Sequence, residues 1–369
     1  MSIVDWFRSP TWSGAWASGG QSARRRVGVV GRNLLRLRQI KGLTDETQWV
    51  WLGPRYGLGA SGLAGVAHAQ GCDAVASWGV GRPFSEAARR AAALAGLPYV
   101  ALEDGFLRSV WPGVLGEAGV SLVADPVGIY YDATRPSRLE ELIAEVGGAN
   151  PERLDRAHAA MAALRHRRVS KYNHAPDRAP EGLGDEVAVV LDQRAGDVSV
   201  RLSGAHPDAF KAMLRLAIEE HGRARVVVKT HPDAVVGGRG SHLTEVAAAE
   251  EVRVIAESVN PWAVLDRARA VYTVSSLLGF EALMAGVPVT CFGLPFYAGW
   301  GLTRDMVECP RRTARVPLEQ VFAAAYIRYT RYVDRETGAP TEVETVIRQL
   351  ADARDRLLAA SACGEAPAE

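Results

Sequence analysis

Four groups of polar residues stand directly after apolar runs, which is where an α/β protein displays its chemistry. The first is Asp192-Gln193-Arg194-Ala195-Gly196-Asp197-Val198-Ser199, following the apolar residues 187–191. Gly196 permits a tight turn, and Asp197 stands just before a predicted helix. An aspartate there either caps the helix or presents a carboxylate as base or nucleophile. The second group is Thr230-His231-Pro232, after residues 225–229. Pro232 holds His231 extended at the strand end. There an imidazole can donate to a phosphate or serve as acid for a leaving group, although a lone histidine is often structural.

The third group, Ser275-Ser276, follows residues 270–274 and opens a helix. Unpaired N–H groups and the dipole at a helix start favour an anion, and two hydroxyls add donors. The same serines can be ordinary caps. Glu281, further along that helix, can reach a ribose hydroxyl or simply face solvent. The fourth group, Glu103-Asp104-Gly105-Phe106-Leu107-Arg108-Ser109, lies in the first half, after the strand-like PYVAL. Its two carboxylates and arginine can satisfy one another, or position acceptor hydroxyls across a cleft.

These groups need a scaffold, and the chain repeats one design. Residues 73–104 read as strand, helix and strand, with Ser85 as helix cap and Gly96 as C-terminal stop. The pattern returns over residues 270–292, where AGVPVT stands as AGLPYV does in the first unit. Strands at 187–191 and 225–229 alternate with helical segments. Such alternation predicts parallel sheets with helices on both faces.

The charged, Pro- and Gly-containing stretch 158–186 suits an exposed crossover. We therefore expect an N-terminal Rossmann-like domain with its crossover over 1–180 and a second Rossmann-like domain over 181–316. A C-terminal helical segment over 317–369 is expected to pack back across both. The fold class is α/β, two Rossmann-type domains with parallel sheets facing a central cleft.

Composition narrows the functional classes. The 369 residues allow two domains, and 43 basic against 42 acidic residues give no global case for nucleic acid. Cys72, Cys291, Cys309 and Cys363 form no CxxC pair, and His68 with Cys72 has no second pair to complete a zinc site. No DxD triplet occurs, so the usual metal-diphosphate anchor is missing and no metal is expected. The start, MSIVDWFRSP, is unlike a secretory signal, and no apolar run reaches bilayer length. These features predict a cytoplasmic chain. Arg24, Arg25, Arg26, Arg32, Arg36, Arg38 and Lys41 form a basic cluster that is either a solvated helix face or a peripheral contact with an anionic inner-membrane surface.

A rival class comes from Gly57, Gly59 and Gly62, which match GxGxxG and suggest a nicotinamide- or flavin-dependent oxidoreductase. The context is poor. Gly53-Pro54-Arg55-Tyr56 separates strand from glycines, and Asp73 precedes the next strand where a ribose-binding acid should end it. A non-catalytic scaffold of the same fold is the other alternative, disfavoured by so many polar groups at strand ends.

Together the blocks LEDGFLRSV, GIYYDATRPSRLE, SKYN, DQRAGDVSV, KTHPD, SSLLGFEALMAGVPVTCFGLPFYAGWGLT and YVDRETGAP carry a resemblance over roughly residues 73–345. The chain resembles the bacterial capsule-type retaining β-Kdo transferases, which build the Kdo linker on the lipid anchor of capsular polysaccharides. The resemblance implies a GT-B-like fold, CMP-Kdo as donor, no cofactor or metal, and a Kdo-terminated lipid or glycan acceptor. It implies retention through an enzyme carboxylate, with Asp197 of the QxxxD motif preferred over Asp192. His231, Pro232, Ser275 and Ser276 would hold the CMP phosphate, with Gln193, Lys229 and Glu281 on the same donor side. Glu103 would be the acid/base facing the acceptor, supported by Asp104, Arg108 and Ser109. Arg194 departs from the threonine common in relatives, and the chain has room for one catalytic module where better-known capsule enzymes carry two.

Overall fold

A computed structural model describes residues 25–31, 37, 40, 47–54, 57–145, 151–230 and 240–362. In chain order the first unit contains β1 (Arg25–Val30), β2 (Thr47–Gly53), α1 (Ala60–Ala69), β3 (Ala74–Trp78), α2 (Pro83–Leu94), β4 (Tyr99–Asp104), β5 (Ser121–Asp125), α3 (Arg138–Glu145) and α4 (Pro151–His166). The second contains β6 (Val187–Leu191), α5 (Val198–Leu202), α6 (Ala209–His221), β7 (Val226–Lys229), α7 (Thr244–Ala249), β8 (Arg253–Ile255), α8 (Pro261–Leu265), β9 (Ala268–Thr273), α9 (Leu277–Met284), β10 (Val289–Cys291) and β11 (Arg304–Asp305). Then come α10 (Leu318–Phe322), a π-helical stretch (Ala323–Tyr329), β12 (Thr330–Val333), β13 (Pro340–Thr341) and α11 (Val343–Ala362).

The second sheet has the order β11-β10-β9-β6-β7-β8, and all its pairs are parallel. Its β6, β7 and β10 are buried throughout, as is the second half of β9, as expected of parallel strands covered by helices on both faces. The chain runs outward from β6 to β8, then returns to β9 on the other side of β6. That reversal opens a crevice at the carboxyl ends of β6 and β9.

The first sheet, β13-β12-β5-β4-β3-β1-β2, is parallel from β2 to β4. It departs from the all-parallel expectation at one edge, because β5 and β12 run antiparallel to their neighbours. Residues 105–120 contain only a short 3-10 turn at Gly113–Leu115, so no crossover helix carries the chain back and β5 must reverse. In the βαβ unit itself, α2 starts at Pro83. Ser85 Oγ accepts from Arg82 N at 3.1 Å from inside the first turn, so Arg82 rather than Ser85 is the cap residue.

The segment after Pro317, expected to be largely helical, also contains the two short strands β12 and β13. The π-helical stretch widens the last turns before Thr330, and the β-branched and aromatic Thr330-Arg331-Tyr332-Val333 joins the first sheet against β5. The terminal segment thus crosses back from the second unit to complete the first. Arg156 of α4 ties it down through Glu342 and Glu344 at 2.8 Å each.

One aromatic cluster joins the units beneath the crevice. Phe106, just beyond β4, lies 4.8 Å from Phe296 and 5.0 Å from Tyr326, between ring centroids. Phe280 of α9 lies 5.0 Å from Phe296. Such contacts add about 0.5–1.5 kcal/mol per pair beyond burial, and they hold the end of β4 at a set distance from α9. Gly105 is required by the same packing: a Cβ there would meet Ser121 Oγ and Thr330 Cγ2 at 2.5 Å.

Of the N-terminal basic cluster, Arg25 and Arg26 open β1 rather than covering a helix face, and Arg26 N donates to Asp73 Oδ2 at 2.8 Å. Arg24, Arg32, Arg36, Arg38 and Lys41 lie outside the described residues. Among the described residues, no helix is long and apolar enough to cross a membrane.

Candidate functional site

The crevice of the second sheet is built by the turn after β6 and the start of α9. Gly196, at φ +76°, closes the turn 192–197, and Asp197 N donates to Arg194 O at 3.1 Å. Asp197 caps α5, accepting from Ser199 N through Oδ1 at 2.9 Å. Its other oxygen has no hydrogen bond among the described residues. Asp192 is placed differently. It is 4% exposed, and its oxygens accept from Gln193 N, His242 N, Leu243 N and Ser241 Oγ. It therefore anchors the turn at Ser241 to the end of β6.

Gln193 and Ser275 join the two strand ends. Gln193 Oε1 accepts from Ser275 N at 2.9 Å, and its Nε2 donates to Ser275 Oγ at 3.1 Å. Ser199 Oγ is 3.3 Å from Ser275 Oγ. Ser276 is the cap of α9, its Oγ accepting from Leu278 N at 3.3 Å. Beside this helix start lies a cavity of about 140 Å³, whose walls include Ser276, Glu281, Lys229, Thr230, Ser170 and Lys171. His231 and Pro232 lie outside the described residues.

Burial shapes the cavity's ionisable groups. Lys229 Nζ donates to Glu257 O at 3.2 Å, and desolvation brings its pKa down to about 8, with Glu257 opposing. Glu281 is 2% exposed, and burial pushes it up to about 7. Ser170 Oγ donates to Glu281 Oε1 at 2.7 Å, and the backbone N–H of Lys171 also donates to this carboxylate. Instead of facing solvent, Glu281 binds the crossover segment to α9.

The first unit supplies the opposite wall. Glu103, at the end of β4, accepts from Trp78 Nε1 and Asp104 N at 3.0 Å each, and Tyr131 OH approaches at 3.4 Å. Burial, then the charge of Asp104, push its pKa up to about 7 against the pull of Lys171. Asp104 pairs with Arg108 at 2.9 Å, and Arg108 also donates to Ser109 Oγ and Glu117 O. Ser109 is fully buried and donates to Trp111 O at 2.6 Å, so it braces the loop rather than facing the crevice.

Several residues that end no strand are also brought here by the fold. Ser170-Lys171-Tyr172-Asn173 forms a strap between the units. Lys171 O accepts from Arg108 N at 3.1 Å, Asn173 N donates to Val110 O at 2.8 Å, and Ser170 reaches α9. Tyr130 and Tyr131 follow β5. Burial pushes the Tyr130 phenol up, and it lies in the fields of Lys171, Glu103, Asp104 and Asp197. Carboxylates of both units therefore lie within electrostatic reach of one tyrosine. Both segments lie inside the blocks GIYYDATRPSRLE and SKYN, which was their only signal in sequence.

The second unit also docks directly beside this point. Ala133 N donates to Leu202 O at 2.9 Å, and Arg201 donates to Gly81 O at 2.9 Å. The glycine loop at Gly57, Gly59 and Gly62 is remote from it in topology. It follows β2, the edge strand of the first sheet, and Gly62 lies within α1. A dinucleotide fingerprint belongs instead at the point where strand order reverses.

Comparison with known proteins agrees with this arrangement. Residues 73–332 match the family described as capsule polysaccharide biosynthesis protein. The chain is 43% identical over 293 residues to the capsule polysaccharide modification protein LipA of Neisseria meningitidis serogroup B, covering 76% of this chain and 41% of LipA. It is 38% identical over 270 residues to the lipopolysaccharide-processing protein LpsZ of Rhizobium meliloti, covering 72% and 61%. The chain thus spans less than two thirds of these relatives' length. Among solved structures, the Thermosulfurimonas dismutans KpsC β-Kdo 2,4 transferase superposes with a TM-score of 0.79 at 41% identity, over 89% of this chain and 99% of that one. The β-Kdo 2,7 transferase of the same KpsC gives 0.66 at 28% identity, over 89% and 100%. The fold is of the GT-B-like class, and the chain belongs to the capsule polysaccharide biosynthesis protein family.

Proposed function

We propose that the chain is a retaining glycosyltransferase that moves Kdo from CMP-Kdo to a Kdo-terminated lipid or glycan acceptor. The observation that carries this reading is that Glu103 and Asp197, from opposite units, both act electrostatically on Tyr130, while Ser276 at the start of α9 lines a cavity. The CMP phosphate sits at Ser275 and Ser276, with His231 as a further donor. A helix start and hydroxyls hold a monophosphate without a metal clamp, so transfer persists in EDTA.

In the first step the unpaired oxygen of Asp197 attacks the anomeric carbon. The bond to the phosphate oxygen breaks, its electron pair leaves with CMP, and a covalent sugar–enzyme ester forms. In the second step the acceptor hydroxyl gives its proton to Glu103, and its oxygen displaces Asp197. Two inversions retain the β configuration. Asp197 serves better than Asp192, whose oxygens are committed to the turn at Ser241. The raised pKa of Glu103 makes it a stronger base than an ordinary carboxylate. The higher similarity to the 2,4 transferase than to the 2,7 transferase supports a 2,4 linkage.

The test is incubation of purified protein with CMP-Kdo and a β-Kdo-terminated glycolipid. One added Kdo per acceptor, released CMP and a β-2,4 linkage by NMR are expected. Absence of transfer to any Kdo-primed acceptor overturns the substrate assignment.

A further inference from the structure

We propose that Lys171 is the group that receives the carboxylate of the donor sugar, and so selects a sugar acid over a neutral sugar. This rests on the donor reading above and extends it to a residue that no strand end announces.

Lys171 is held from both sides. Its carbonyl accepts from Arg108 N at 3.1 Å and Ser109 N at 3.3 Å in the first unit, and its N–H donates to Glu281 in the second. Lys171 lines the donor cavity together with Ser276 and Thr230. Its Nζ sits 5.9 Å from the Tyr172 ring centroid, and among the described residues no hydrogen bond engages it. Burial works against the ammonium, yet Tyr172, Tyr130, Asp104 and Glu103 outweigh that and keep its pKa above the ordinary lysine value. It is thus a charged group with open donors on a residue that lines the cavity, within reach of carboxylates.

The donor brings two anionic groups into this space. The phosphate has the helix start and its serines, and Lys229 lies on that side with its Nζ on Glu257 O. The sugar carboxylate is attached to the reacting carbon, so it must enter next to Glu103, Asp104 and Asp197. Three like charges repel it there. Lys171 is the cation whose field reaches Glu103 and Asp104 and which is also a lining residue of the cavity. An ammonium–carboxylate contact in such a site is a strong, charge-assisted hydrogen bond.

The experiment compares wild type, Lys171→Met and Lys171→Arg, using CMP-Kdo as donor and CMP as a competitive inhibitor that lacks the sugar acid. Lys171→Met should lower kcat/KM for CMP-Kdo about 50-fold, chiefly through KM, as expected for loss of a hydrogen bond between charged groups. The Ki for CMP should stay within about 2-fold, which also shows that the variant folds. Lys171→Arg should recover part of the loss. If Lys171→Met does not fold, Lys171→Arg and Lys171→Gln carry the same comparison of KM with Ki. Unchanged KM, a parallel rise in Ki for CMP, or an effect confined to the pH profile of kcat would each overturn the proposal. Wild type that binds CMP but transfers no Kdo would instead remove the donor reading, and the Lys171 inference with it.

Discussion

Gln193 grips Ser275 with both ends of its side-chain amide, at 2.9 Å and 3.1 Å, and so ties the turn bearing Asp197 to the start of α9. The backbone N–H of Ser275 donates to Oε1 and could not donate to Nε2, which orients the amide. The anion site and the carboxylate are consequently one mechanical unit. We expect Gln193→Ala to cost about 1–2 kcal/mol of stability, because Ser275 N loses its acceptor in a partly buried setting. It should also raise the Ki for CMP about 10-fold. Thermal unfolding and inhibition assays check the two effects separately.

Asp197 and Asp192 can be told apart by asparagine. Asn caps a helix about as well as Asp, so Asp197→Asn should keep its melting temperature while losing transfer at least about 1,000-fold. Asp192→Asn replaces an oxygen that accepts from the 241–243 turn by an amide nitrogen that cannot. It should lower stability by about 2–3 kcal/mol. Melting curves alongside transfer rates distinguish the pair, and near-normal transfer by Asp197→Asn would move the nucleophile elsewhere.

Glu103 must be ionised to accept the acceptor's proton. With its pKa pushed up to about 7, the ionised fraction grows as pH rises through neutrality. We therefore expect kcat to fall about 10-fold per pH unit below pH 6 and to level off above pH 8. Glu103→Gln should lose at least about 100-fold in rate at about pH 8, and its profile should lack this limb, so the deficit narrows as pH falls.

Glu281 makes a prediction about stability. Its folded pKa, about 7, lies above the unfolded glutamate value, so the folded state holds its proton more tightly. Its protonated form is therefore tolerated below about pH 4.5, and stability declines as pH rises through 7. The decline amounts to about 3 kcal/mol at most. Removing the group in Glu281→Gln should make stability less dependent on pH between 5 and 8. Denaturant titrations at these two pH values measure the difference, and an unchanged slope would contradict the cause.

Arg312 and Glu140 lock the second unit to α3 of the first. The Arg312 side chain is 2% exposed, lies 2.7 Å from Glu140, and also donates to Pro295 O and Ala298 O. Glu140→Ala leaves the guanidinium short of its countercharge and should destabilise by about 3 kcal/mol or more. The double variant Glu140→Leu with Arg312→Met should recover part of this, measurable by the shift in unfolding midpoint.

Much of the scaffold was legible from local pattern alone. Apolar runs of strand length, Gly96 and Gly286 as helix stops, and polar residues at the run ends located both βαβ units and the crevice residues Gln193, Ser275 and Ser276. These signals are local, since the period of apolar residues and the chemistry of a turn act within a few positions of the chain.

What tertiary structure decided is what depends on distant partners. Thr330–Val333 continues an amphipathic helical pattern in sequence, yet it becomes a strand because β5 has an open edge to pair with. Asp192 and Asp197 are equivalent carboxylates in a short loop, and only the 241–243 turn, about fifty residues on, makes one an anchor. Lys171 and Tyr130 end no strand of their own. They enter the crevice because the aromatic packing of Phe106, Phe280, Phe296 and Tyr326 closes the two units on each other. Sequence periodicity thus placed the strand ends, whereas burial and long-range contact set the charge each side chain feels there.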